Sequence, residues 1–207
     1  MNNTKEKVSA KMQKINAAIE KTNAEFKKAT KAQKRVMIAK DVLAQLKAKR
    51  YIPESGVWVE PMYKSRKMGN EEESVQKLFA EKNITKCNVC ALGAMFMSCT
   101  NMNNNTTVGD LEDECGGVLG ELIEDNYKLS NGLNRIFTCQ QLALIETYFE
   151  NGGGYFETGG RYFQHRVVDY DHLDKFSITY NEDKRLELIM KNIIENQGTF
   201  KPKKMKI

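Results

Sequence analysis

The chain has only two histidines, His165 and His172, and a single C-x-x-C, Cys87 to Cys90, with no second one. A structural zinc site wants four ligands, usually two such pairs or one pair with two closely spaced histidines. The H-x6-H spacing is too long for that, so no metal is expected. No apolar run approaches the roughly 20 residues that a membrane helix needs; the longest, Val89 to Met97, has half that. The N-terminus, MNNTKEKVSAKMQ, lacks the apolar core and small-residue cleavage site of a secretory signal. A cytoplasmic location with reduced thiols follows as the expectation, so the five cysteines build no disulfide frame. Neither G-x4-G-K-[S/T] nor G-x-G-x-x-G occurs, which leaves no nucleotide fingerprint and no expected cofactor.

The charge is unevenly spread. Residues 1–35 hold ten Lys/Arg and three acids, and residues 201–207 hold four Lys and no acid, while the span between is mildly acidic. Basic ends of this kind suit a solvated surface; nucleic-acid binding by counterion release is the alternative.

Residues 4–50 lack Gly and Pro and are rich in Ala, Lys, Glu and Gln, which predicts helix. Val8, Met12, Ile15, Ile19, Thr22, Phe26 and Ala29 form a heptad seam, with Val36 and Leu43 in phase. The seam over 8–43 would join two copies as a homo-oligomer or lie along the chain's own body. Val36, Ala39, Leu43 and Leu46 are expected in the core, and Pro53 and Gly56 end the unit. Trp58 lies in an extended stretch. Asn70 is expected to start a helix with Val75, Leu78 and Phe79 inward. The apolar CNVCALGAMFMSC, Cys87 to Cys99, predicts a buried central helix, with Gly93 admitting a neighbouring helix.

Residues 100–110 are expected to form a polar, Asn-rich loop. Val118, Leu119, Leu122 and Ile123 predict a further helix, closed by Asn131-Gly132. Thr138 with Gln141 predicts a cap ahead of Leu142, Ile145 and Phe149, and Asn181 caps a last helix with Leu186, Ile189, Met190, Ile193 and Ile194 inward. The fold class is therefore mainly α: a helical bundle with a long N-terminal helix and one small β-hairpin-like element. It divides into a basic heptad extension, 1–34, a compact helical domain, 35–200, with a Gly/aromatic insertion at 150–170, and a basic tail, 201–207.

Three islands together, "VLAQLKAKRYIPESGVW", "CALGAM" and "ITYNEDKRLELIMKNII", resemble a family of small uncharacterised helical proteins of bacteria and phages. Their pattern is a helix leading to a Trp, a Cys-Ala-Leu-Gly-Ala helix and an aromatic-Asn-Asp helix start. Here Glu182 stands where Asp is usual. The resemblance implies a fold rather than a chemistry, and makes Trp58, Cys90, Gly93 and Asn181 scaffold residues.

The segment ENGGGYFETGGRYF, 150–163, is the part that helix building does not explain. Its glycines allow close backbone approach. Tyr155, Phe156, Tyr162 and Phe163 offer flat faces, and Arg161 a planar cation. These five are the expected ligand- or partner-binding residues; a hairpin that merely covers the bundle is the competing reading, with RYFQHRVVDY, 161–170, as a strand. The acids around Asp110 lack EF-hand spacing and are expected at a solvated helix start. Cys90, His165 and Asp169 follow the chain order of papain-like thiol hydrolases, which is the enzymatic alternative. The leading expectation is a non-enzymatic binding protein, a phage-type accessory or anti-defence factor that engages a host protein or a small nucleotide-like ligand.

Overall fold

The computed structural model describes residues 2–64, 71–103, 106–112, 132–150, 156–158, 161–163 and 181–202. The protein is mainly helical, as its sequence predicts, with a small sheet at one side of the core. The helix expected at 118–123, His165, Asp169, Tyr155 and the tail beyond 202 lie outside the described residues.

The predicted helix over 4–50 is two helices, α1 (Asn2–Lys28) and α2 (Lys31–Lys47). Thr30 separates them. Its side chain accepts from the Gln33 N–H while the Gln33 side chain accepts from the Thr30 N–H, a reciprocal cap that favours a fresh helix start over continuation. The heptad phase does not survive this break. In α1, Met12, Ile15, Ile19 and Thr22 are half-buried and Phe26 is buried, against the helices Val75–Ala80 and Ala91–Asn103 of the same chain. In α2 the inward face is Ile38, Ala39 and Val42, with Val36, Leu43 and Leu46 only half-buried. The helix stops before Pro53: Lys49 takes a positive φ of 54° and the chain turns into the strand Tyr51–Pro53.

Strands β1 (Tyr51–Pro53), β2 (Val59–Tyr63) and β3 (Ile84–Val89) form a sheet in the order β1-β3-β2. β1 runs parallel to β3, and β2 runs antiparallel to it. Two of the three prolines, Pro53 and Pro61, fall on the outer strands, where a missing N–H costs the ladder least. This sheet adds to the predicted single β element. It also corrects the Cys87–Cys99 helix: Cys87 lies on β3, and the helix α4 begins only at Ala91 and runs to Asn103.

Between β2 and β3 sits α3 (Val75–Ala80). Its cap is Ser74 rather than Asn70, and Val75, Leu78 and Phe79 are buried as expected. Helix α4 is buried on every side over its first ten residues and forms the centre of the core. Gly93 is approached by the backbone of Trp58 rather than by a helix: a Cβ built there would lie 1.7 Å from the Trp58 carbonyl oxygen. The expected 100–110 loop is instead largely ordered structure. Helix α4 covers its first residues, and α5 (Val108–Glu112) its last. Thr107 and Asp110 cap α5 reciprocally, and Val75 donates its N–H to Thr106 O at 3.1 Å.

Helices α6 (Cys139–Phe149) and α7 (Glu182–Glu195) complete the core. Thr138 caps α6 and Asn181 caps α7, as predicted. Leu142, Ile145 and Phe149 are buried in one, and Leu186, Ile189, Met190 and Ile193 in the other. Beyond α7, Gly198 takes a positive φ of 92°.

Candidate functional site

The Gly/aromatic segment forms a β-hairpin backbone: β4 (Phe156–Thr158) pairs antiparallel with β5 (Arg161–Phe163). The register sets Phe156 opposite Phe163, Glu157 opposite Tyr162 and Thr158 opposite Arg161. The side chains of these residues lie outside the described part, as do the segment's other residues between Asn151 and Phe163.

Cys90 stands at the junction of β3 and α4, next to a helix N-terminus. Its N–H is taken by the carbonyls of the Val57–Trp58 turn, and its Sγ accepts from the Gly93 N–H at 3.3 Å. The thiol is 1% exposed, and burial pushes its pKa far up, against the small opposing pull of the Gly93 amide. The acidic groups that act on it are the carboxyls of Glu146 and Glu150, whose ionised forms disfavour a thiolate further. Cys87 and Cys99 are likewise buried, and neither is part of a disulfide. Among the described residues no group of three or more metal-ligating side chains gathers.

Those two glutamates belong to a charge cluster that sequence reasoning missed. Glu146 is 8% exposed; burial first, and Glu150 one helical turn on, raise its carboxyl pKa to about 8. Glu150 is raised as well, chiefly by burial, and accepts from the Gly56 N–H at 3.1 Å. Arg185 on α7 is 2% exposed and lies 5.4 Å from the Phe149 ring centroid. It donates from Nη2 to Ser55 Oγ at 3.2 Å and pairs with Glu182 at 3.5 Å, while Glu182 accepts from the Ser55 N–H. This network clamps residues 54–58 between the end of α6 and the start of α7. It thereby holds the Trp58 carbonyl over Gly93. Its chemistry is positional: the loop that seals the Cys90 junction is fixed by charge-assisted bonds.

A groove with a volume of about 690 Å³ lies between α2, β1 and α7. Leu43, Leu46 and Ile52 give it an apolar floor over the buried ring of Tyr51. Lys47, Lys49, Lys86 and Lys191 surround that floor, with Asp183 and Glu187 at one side. Glu187 is occupied by Lys184 and Lys191, which hold its carboxyl pKa below the ordinary value. Among the described residues Lys47, Lys49 and Lys86 have no carboxylate partner. Lysine is so common in this chain that no local pattern marks these three; only folding gathers α2, the loop after it and β3.

No family model, curated protein or solved structure matches the chain. No helix among the described residues is long and apolar enough to cross a membrane.

Proposed function

We propose that this is a non-enzymatic interaction protein whose groove between α2 and α7 receives an acidic, partly apolar segment of a partner protein. The observation that carries this reading is the pairing of an apolar floor, Leu43, Leu46 and Ile52, with three lysines free of carboxylates. The volume falls within the roughly 300–1,000 Å³ of ligand-binding clefts. Charge complementarity then selects an acidic occupant and speeds its encounter. A host protein targeted by a phage-type accessory or anti-defence factor fits this role; the three-island resemblance and the Lys- and Asn-rich composition support that setting. The hairpin of β4 and β5 is a second contact surface in this reading, through Tyr155, Phe156, Arg161, Tyr162 and Phe163. A thiol hydrolase built on Cys90, His165 and Asp169 is disfavoured by the burial of Cys90 and its acidic neighbours.

A photo-crosslinking residue at Leu46 tests the groove. The expected result is one adduct whose crosslinked segment carries Asp or Glu beside apolar residues, lost when Lys47 and Lys86 are both changed to Glu. An adduct that survives the charge reversal, or crosslinking only from an exposed position such as Lys21, refutes the assignment.

A further inference from the structure

The basic N-terminal segment contributes to a second cleft that the groove does not use. Lys27 at the end of α1 and Lys34 in the first turn of α2 face Arg135 across a cavity of about 220 Å³. Lys34 stands 5.3 Å from the Phe26 ring centroid. The hydroxyls of Thr100 and Thr106, 3.4 Å apart, lie in the same wall, and among the described residues no Asp or Glu lines the cleft. None of the three cations has a carboxylate partner among the described residues.

Three cations turned into one narrow cleft repel each other unless an anion shares it. The backbone of this wall is tied to the start of α2. Arg35, beside Lys34, donates from Nε to the Ile136 carbonyl at 2.8 Å, and from Nη1 to Gln141 at 3.3 Å and the Gly198 carbonyl at 3.2 Å. Those bonds fix the strand of chain that carries Arg135 against the start of α2. The cleft also stands apart from the groove: Lys34 and Leu46 are twelve residues apart on one helix, about 18 Å.

We propose that this cleft binds the phosphate group of a small molecule, with Lys27, Lys34 and Arg135 neutralising the charge and the Thr100 and Thr106 hydroxyls completing the donor set. The phosphate is either free inorganic phosphate or the phosphate end of a nucleotide. In the nucleotide case the base would meet the cavity wall that holds Phe26 and Phe96. The site is independent of the groove reading above.

Calorimetric titration at low ionic strength, with pyrophosphate, ATP and adenosine as probes, tests it. Pyrophosphate and ATP are expected to bind, and adenosine is not. Each cation lost should weaken binding by about tenfold, the effect of one charge-assisted hydrogen bond. Lys34→Gln and Arg135→Gln together then cost roughly a hundredfold. Lys47→Gln with Lys86→Gln, in the groove, should cost nothing. Arg135→Lys should keep most of the affinity that Arg135→Gln loses, which separates charge from folding. Equal affinity for pyrophosphate and ATP shows that the phosphate groups alone are recognised and favours an inorganic phosphate; tighter ATP favours a nucleotide. The proposal is overturned if neither phosphate compound binds, if the cleft variants bind as the unaltered protein does, or if the groove variants lose as much.

Discussion

Changing Glu146 to Gln should make the protein more stable at neutral pH. The carboxyl is buried on α6, with Glu150 one turn away and no cation paired to it among the described residues. Its pKa is 4.5 as an ordinary glutamate and about 8 in the folded protein. Between those values the unfolded chain is ionised and the folded chain keeps its proton. The folded state therefore binds more protons, and stability falls as pH rises through that window. It is fully present below pH 4.5, falls by about 1.4 kcal/mol per pH unit, and levels off above about 8. At pH 7 the loss reaches about 3 kcal/mol, a large share of a typical domain's stability. Glutamine matches the protonated carboxyl in shape and does not ionise, so the variant lacks this term. Urea unfolding at pH 5, 6, 7 and 8 measures it. The gap between variant and parent should be under about 1 kcal/mol at pH 5 and grow to about 3 kcal/mol at pH 7. Glu150, also raised, contributes a slope of the same sign to both proteins, and the difference measures Glu146 together with its coupling to Glu150. Parallel pH profiles, or a variant less stable at pH 7, would refute the reasoning.

Two further outcomes follow from the Cys90 junction. Gly93→Ala places a methyl group 1.7 Å from a backbone oxygen, so α4 and the Trp58 turn must separate; a loss of at least about 3 kcal/mol is expected in thermal or chemical unfolding, and a loss under 1 kcal/mol would show that the contact is soft. Iodoacetamide at pH 8 should modify Cys90 only as fast as the protein opens, with denaturant releasing the reaction; mapping by mass spectrometry of native protein that finds Cys90 alkylated at the rate of a free thiol would contradict its burial and favour the hydrolase alternative.

Much of the helical scaffold was legible because its signals are local. Thr138 and Asn181 cap the helices that their spacing implies, since a cap needs only a side-chain oxygen and amides within one turn. The inward stripe of α7 follows from a period of 3.6 over a helix with a polar outer face. The errors have equally physical causes. The run from Cys87 to Cys99 is apolar on all sides, so no period separates the central strand β3 from the buried helix α4. Thr30 and Gln33 looked like ordinary helix residues, yet their reciprocal cap divides the long helix and rotates the buried face of α2. In the 100–110 segment the Asn-rich composition suggested a loop, but pairing of Glu71–Val75 with Thr106–Gly109 orders its last residues.

The candidate sites were the least legible part. Arg135 lies far in sequence from Lys27 and Lys34, and Lys86 from Lys47 and Lys49, and each is an unremarkable basic residue until folding sets them around a cavity. The same holds for Glu146, whose charge state depends on burial and on a neighbour one turn away. What the sequence determined by itself was the run of capped, amphipathic helices and an apolar centre, because propensity, capping and periodicity act within a few residues. Only the tertiary structure decided that the Cys90 thiol is buried within reach of two glutamates' charge, that Phe26 of the N-terminal seam packs into the protein's own core, and where cations gather without carboxylate partners among the described residues. Burial and charge convergence are sums over segments distant in the chain, and no local pattern carries them.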